Sequence, residues 1–236
     1  MPLIHETKLP PDVQTSETAL AQQRAGRMTT SYWIGWSLFR FIFSLYFRWR
    51  VYGAEKVPQT GSVILASNHA SYLDPPLVGS AMQRMLNYMA RETLFRFPIV
   101  GRILRSWNAV PLDRDRGSAA GLRIILDRLN EGDAILLFPE GTRTSDGTLQ
   151  PAQSGIGLIV MKSNAPVVPV RIFGTYEAYG RHMRFPSPKR VTVKFGDPLN
   201  FDRFREEAKT CPKARLKEIY QEVADEVLAA IAKIEQ

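Results

Sequence analysis

His69 and Asp74 stand five residues apart in the run Asn68-His69-Ala70-Ser71-Tyr72-Leu73-Asp74. Downstream, Phe138-Pro139-Glu140-Gly141-Thr142-Arg143-Thr144 supplies a carboxylate, a glycine and a guanidinium. The first run offers a base and a group to orient it. An alcohol is a weak nucleophile until its proton is accepted. Neutral His69 can take that proton while the hydroxyl attacks a thioester carbonyl. Asp74 can accept a hydrogen bond from the other ring nitrogen, which fixes the tautomer and stabilises the imidazolium. This chemistry needs no serine or cysteine nucleophile, although Ser67 and Ser71 lie close enough to leave an acyl-serine route as the weaker alternative. In the second run, Arg143 has the planar fork that grips phosphate at two points, which lysine lacks. Gly141 lets the backbone approach a ligand or take a positive φ. The lone Cys211 has no context that would activate it, and no Cys/His cluster is spaced for a metal, so no metal is expected.

A helix cannot present His69 and Asp74 together, because facing pairs are three or four apart. The pair therefore requires a strand-to-helix turn. Pro75 and Pro76 suit a first helical turn and Asp74 suits its N-cap, and capping alone would be the plain structural explanation of that aspartate. Short apolar runs read as strands over 62–67, 86–90, 108–112, 134–138, 167–173 and 191–195. Between them, helical spacing appears over 117–129, closed by Gly132, and over 154–163. A last helix over 212–234 carries Leu216, Ile219, Val223, Val227, Ala230 and Ile234 on one stripe. Such alternation predicts an α/β domain with a mainly parallel sheet flanked by helices. Both motifs then fall just past strand C-termini, the edge at which open α/β sheets bind ligands, and can share one cleft.

The 236 residues carry a net charge of +8, which calls for an anionic partner, nucleic acid or an anionic membrane. No nucleic-acid motif is present and the cations flank apolar aromatic stretches, so nucleic acid is excluded as the partner. Residues 31–47 hold 8 of the 24 aromatic residues. No acid occurs between Glu17 and Glu55, while five arginines do. As a helix this segment is too short to span comfortably and Arg40 is costly at its centre. The expectation is a helix lying in one leaflet. The alternatives are a short span with Arg40 snorkelling and a buried core helix. The stretch 91–107, with Arg96, Arg102 and Arg105 among Phe95, Phe97, Ile99, Ile103, Leu104 and Trp107, reads either as a second membrane-facing surface or as an ordinary amphipathic helix. The polar start is not expected to act as a secretory signal. The expected organisation is a flexible segment over 1–28, a membrane-associating helix over 29–50 and an α/β domain over 51–236.

The two motifs, in this order and after two strands, resemble those of the glycerolipid acyltransferase family, over roughly 51–199. The resemblance implies transfer of a fatty acyl group from acyl-carrier protein or acyl-coenzyme A to the sn-2 hydroxyl of 1-acylglycerol-3-phosphate, giving phosphatidic acid in phospholipid biosynthesis. It implies no bound cofactor, and a location on the cytoplasmic face of the inner membrane among membrane lipids. His69 and Asp74 match the family's base and orienting group. Glu140, Gly141, Thr142 and Arg143 match its acceptor-binding block, where Glu140 would bind glycerol hydroxyls, hold Arg143, or form a plain structural salt bridge. Arg114, in Val110-Pro111-Leu112-Asp113-Arg114, matches a phosphate-binding arginine. Val168-Pro169-Val170 matches a last block near the acyl site, or is a plain buried strand. One departure stands out: many relatives carry a lysine where this chain reads Gln153-Ser154. A phosphate pocket would then rest on Arg114 and Arg143, with Lys162 or Arg171 as candidate substitutes, or the acceptor is a different lysolipid.

Overall fold

The structure, a computed structural model, describes residues 28–112 and 119–236. The expected flexible segment over 1–28, Met28 excepted, and Arg114 lie outside the described residues. Seven strands form one sheet: β1 (Arg50–Tyr52), β2 (Val63–Ser67), β3 (Leu86–Arg91), β4 (Ala109–Leu112), β5 (Ala134–Leu137), β6 (Val167–Phe173) and β7 (Thr192–Phe195). Their order is β1-β7-β6-β2-β5-β3-β4. Every pairing is parallel except β6 with β7. From β2 the chain passes to β3 and outward to β4, returns to β5 between β2 and β3, then crosses to β6 on the other side of β2. The cleft beside β2 is therefore a topological switch point.

Helices cover both sheet faces. On one lie α1 (Thr30–Leu45) and α2 (Asp74–Ala81), packed on Val63, Leu65, Leu136, Val170 and Val193. On the other lie α4 (Ala119–Asn130), α5 (Ser154–Lys162), α7 (Asp202–Ala208) and α8 (Lys213–Ala232), over Ile64, Ile135 and Val167. Two further short helices are α3 (Pro98–Ser106) and α6 (Thr175–Tyr179), the latter adding Ala178 to the core on the α1 side. The strands of the middle are apolar on both faces, as a doubly covered parallel sheet demands: all five residues of β2 are buried. In α8 the buried stripe is Ile219, Val223, Ala224, Val227 and Ile231. Leu216, Ala230 and Ile234 of the expected stripe are only half-buried, and Ile234 lies past the end of the helix at Ala232.

α1 is largely apolar, with Arg40 as its one charged residue, and its two faces meet different surroundings. Tyr32, Gly35 and Phe43 are buried. Trp36 Nε1 donates to Met82 O and Arg40 to Ser80 O, both at 2.8 Å. The Arg40 guanidinium also lies 4.6 Å from the Trp36 ring. Arg40 is thus held by protein, which removes the need for the snorkelling expected of a spanning helix. Among the described residues no helix is long and apolar enough to cross a membrane. The opposite face leaves Trp33, Ile34, Leu38, Phe41 and Leu45 exposed, Leu45 by 72%. The chain therefore neither buries this helix as core nor keeps its outer face polar.

Candidate active site

His69 leaves the C-terminal end of β2 on a turn that Asn68 holds in place. The Asn68 amide exchanges two hydrogen bonds with the Ile172 backbone, donating to its carbonyl at 3.0 Å and accepting from its N–H at 2.7 Å. The loop is thereby tied to the neighbouring strand β6. The His69 Nδ1 and Asp74 Oδ2 atoms are 2.8 Å apart. Oδ2 also accepts from the Ala70 and Ser71 N–H groups, at 2.6 and 2.7 Å. Backbone N–H groups only donate, so an oxygen must stand at that position and His69 must present Nδ1–H to it. The lone pair is then on Nε2, which has no hydrogen-bond partner among the described residues.

The expected N-cap role of Asp74 is corrected. Asp74 is the first helical residue of α2, Leu73 holds the cap position, and no side chain caps the helix. The carboxylate turns back because three donors of the preceding turn converge on it. Ser71 serves that turn: its Oγ accepts from Leu73 N at 3.1 Å and donates to Tyr179 O at 2.7 Å. That hydroxyl is buried and engaged, and Ser67 Oγ donates to Asn68 O. Neither serine is poised as a nucleophile.

The second motif closes on the first through backbone. Glu140 Oε1 accepts from His69 N at 2.8 Å and Oε2 accepts from Gln150 N at 2.9 Å. Thr144 N donates to His69 O at 2.8 Å. Both main-chain groups of His69 are therefore bound by the motif that follows β5. The Phe138 ring stacks on the imidazole at 3.9 Å between centroids. Glu140 is buried and makes no ion pair with Arg143. It braces the two loops instead. Burial raises its pKa above the usual 4.5, against the lowering effect of the Gln150 and His69 N–H bonds. Gly141 sits at φ 69°, where a side chain would be strained, and its N–H closes a tight turn onto Phe138 O. Thr142 beside it is exposed.

The Arg143 guanidinium carbon lies over the ring of Tyr72, 3.5 Å from its centroid. Its guanidinium has no hydrogen bond or ion pair among the described residues, so the in-plane donor edges are free for an anion. Tyr72, 65% exposed, gave no hint of this role in the sequence because its partner is 71 positions away. The other cations considered separate clearly. Lys162 is exposed at the far end of α5, ~12 Å along the helix from Ser154 at 1.5 Å per residue. Gln153 is near the cleft: its N–H donates to Pro139 O, and its Cγ limits the space beside Gly141. Arg171 lies on β6, one residue past the Ser67–Val170 pair, with buried Nε and Nη1 lacking partners. Burial lowers its pKa and the charge of Glu140 opposes that shift. Arg171, not Lys162, is thus the cation beside the motifs. Val168, Pro169 and Val170 form a buried stretch of β6. No group of three or more metal-ligating side chains occurs among the described residues.

A second apolar surface adjoins α1. Trp107, just after α3, places its ring against Gly35 and edge-on to Phe39, and its Nε1 donates to Ser31 O at 3.3 Å. α3 and the turn before it expose Leu94, Phe97, Ile99, Val100 and Ile103, Ile99 by 75%, with Arg96, Arg102 and Arg105 also exposed.

Comparison with known proteins bears on this arrangement. A family model described as Acyltransferase matches residues 48–173. The 1-acyl-sn-glycerol-3-phosphate acyltransferase of Bacillus subtilis is 29% identical over 152 residues, 64% of this chain and 73% of its own. A chloroplastic enzyme of the same name from Brassica napus is 30% identical over 133 residues, 55% of this chain but only 38% of its own length. The crystal structure of the 1-acyl-sn-glycerophosphate (LPA) acyltransferase PlsC from Thermotoga maritima superposes with a TM-score of 0.64 at 25% identity. It covers 97% of this chain and 86% of that one.

Proposed function

The chain belongs to the acyltransferase family, and from that premise we propose that it transfers a fatty acyl group from an acyl-carrier-protein or coenzyme A thioester to the sn-2 hydroxyl of 1-acylglycerol-3-phosphate, forming phosphatidic acid. The observation that carries the reading is the His69–Asp74 pair, held in one tautomer by the oxygen that Ala70 and Ser71 also bind. Nε2 takes the proton of the acceptor hydroxyl as its oxygen attacks the thioester carbonyl. Asp74 stabilises the imidazolium so formed. The tetrahedral adduct collapses, the carbon–sulfur bond breaks, and the departing thiolate takes the proton back from His69. The products are the ester and the free thiol. Arg143, over the Tyr72 ring and without a hydrogen-bond partner among the described residues, is the group proposed to hold the acceptor phosphate, with Gly141 and Thr142 lining that approach. Glu140 is proposed to act through the backbone of His69 rather than on the glycerol.

An acceptor of this kind resides in a bilayer. The outer faces of α1 and α3, apolar and bordered by arginines, are proposed to seat the protein in one leaflet. A second acceptor reading has its own support: Gln153 stands where many relatives carry a lysine, leaving fewer cations for a phosphate monoester. Acyl transfer in mixed micelles, with lysophosphatidic acid offered against zwitterionic and uncharged lysolipids, tests both. Selective transfer that falls by ~10²–10⁴-fold in His69→Ala supports the leading reading. Preference for a zwitterionic lysolipid moves the substrate to the second. Transfer unaffected by His69→Ala removes the mechanism.

A further inference from the structure

The loop from Gly180 to Arg190 carries Arg181, Arg184, Lys189 and Arg190 and no acid. None of the four pairs with a carboxylate among the described residues. In their midst Phe185 is 73% exposed, with the Arg184 guanidinium 5.7 Å from its ring. The loop is braced rather than loose. Met183 N–H donates to Gly180 O and Ser187 N–H to Ala178 O. Ser187 Oγ donates to Glu177 O. Held in this way, a large apolar side chain faces solvent at a fixed place, which folding alone does not favour.

The position of the loop points to what covers it. Its start belongs to the active site: Tyr179 O accepts from Ser71 Oγ, and Arg181 Nη1 donates to Arg143 O at 3.1 Å. Its middle reaches α1, where Tyr46 Oη donates to Pro186 O at 3.1 Å. Phe185 therefore continues the exposed apolar line that ends in Leu45 and Tyr46. At the other end of the same helix, Ser31 Oγ bonds Ser106 O and so joins α3 to it.

We propose that the 180–190 loop is a third membrane contact, in which Phe185 enters the lipid interface and Arg184, Lys189 and Arg190 hold anionic headgroups, so that the bilayer surface reaches the mouth of the catalytic cleft. This rests on the membrane-associated reading above. The occupant is an anionic bilayer rather than an acidic carrier protein because the phenylalanine extends an existing apolar face while the cations rim it. An acceptor in that leaflet then meets Arg143 without leaving the lipid surface.

The test is sedimentation of the full chain with phosphatidylcholine vesicles, with and without phosphatidylglycerol. The variants are Phe185→Ser, the double variant Arg184→Ser/Lys189→Ser, and, as a reference for the α1 face, Phe41→Ser/Leu45→Ser. The two cations together should be worth about 25-fold in partition to anionic vesicles, at roughly fivefold each. Their loss should leave neutral vesicles unaffected, and the difference should vanish near 1 M salt, where the screening length is about 3 Å. Phe185→Ser should weaken binding to both vesicle types. Turnover in detergent micelles should stay at the wild-type level in the loop variants. If Phe41→Ser/Leu45→Ser weakens binding while the loop variants do not, the proposal is overturned and the α1 reading stands. If the loop variants lose micellar turnover only with the carrier-protein donor, the loop is a carrier-docking surface instead. A wild-type chain that binds neither vesicle overturns both readings.

Discussion

Asp74→Asn isolates the part of the proposed catalytic pair that the fold controls. In the Ser-His-Asp protease template, the equivalent asparagine loses about 10⁴-fold because the imidazole adopts the wrong tautomer. Here Oδ2 faces three donors: His69 Nδ1 and two backbone N–H groups at 2.6 and 2.7 Å. An amide nitrogen at that point would oppose both backbone donors, so the asparagine must present its oxygen. The tautomer is kept and only the charge is lost. A hydrogen bond to a charged group contributes about 1.5–3 kcal/mol against 0.5–1.5 for a neutral one. The difference of ~1–2 kcal/mol sets the loss in kcat at about 5- to 30-fold. The amide nitrogen then occupies the place of Oδ1, which is buried and has no partner. Leaving that donor unsatisfied costs about 1–3 kcal/mol of stability, or roughly 3–10 °C in Tm for a chain of this size. Steady-state acyl transfer at saturating acceptor, together with thermal unfolding, measures both. A kcat loss beyond a thousandfold with an unchanged Tm would refute the reasoning, because it would mean that the amide had turned and the two N–H groups do not dictate which atom faces His69.

Tyr72→Ala should raise the acceptor KM about 2- to 5-fold with little change in kcat, the worth of an exposed cation–π contact; Tyr72→Phe should keep the wild-type value, and an effect on kcat alone would contradict the positioning role. Glu140→Gln has one acceptor oxygen for two backbone donors, so it should destabilise the fold by about 1–3 kcal/mol in urea titrations. The same residue predicts a pH dependence. Its pKa is raised in the folded chain, so its contribution to stability is fully present below pH 4.5 and lost as pH rises through the raised value. Unfolding titrations should show that slope in the wild type and lose it in Glu140→Gln. Gly157→Ala puts a methyl 1.8 Å from Tyr220 O where α5 meets α8 and should cost at least ~1–3 kcal/mol, whereas at Gly155 nothing lies within 4 Å and alanine should be neutral or stabilising.

Much of the sheet could be read in the residues. The runs predicted over 167–173 and 134–138 appear as Val167–Phe173 and Ala134–Leu137. They were legible because strands covered on both faces must be apolar throughout and because glycine and proline punctuate their ends. His69 with Asp74 was legible for a different reason: a pair five apart that cannot share a helix face has to sit on a turn. The capping role expected of Asp74 failed because a carboxylate next to converging donors serves those donors rather than its own helix. Glu140 was open to three readings in the sequence. Its actual partners, the N–H groups of His69 and Gln150, carry no side-chain signature and cannot be read from residue types.

By itself the sequence determined which chemical groups this protein has and in what order the strands deliver them: a histidine, a carboxylate five residues on and an arginine, all placed after apolar runs. It also determined that the segment after residue 30 is rich in aromatic residues, with Arg40 in its middle. The tertiary structure decided the rest, because those outcomes are contacts between positions far apart in the chain. Both backbone groups of His69 are bound by residues 71 and 75 positions away. Arg143 is stacked on Tyr72, and Arg40 is turned inward to Ser80 so that the opposite face of its helix is left uncovered. Residue types and periodicity record what a segment can do locally. Which of several equally suitable donors, rings and carbonyls it meets is settled only when the sheet order brings them together.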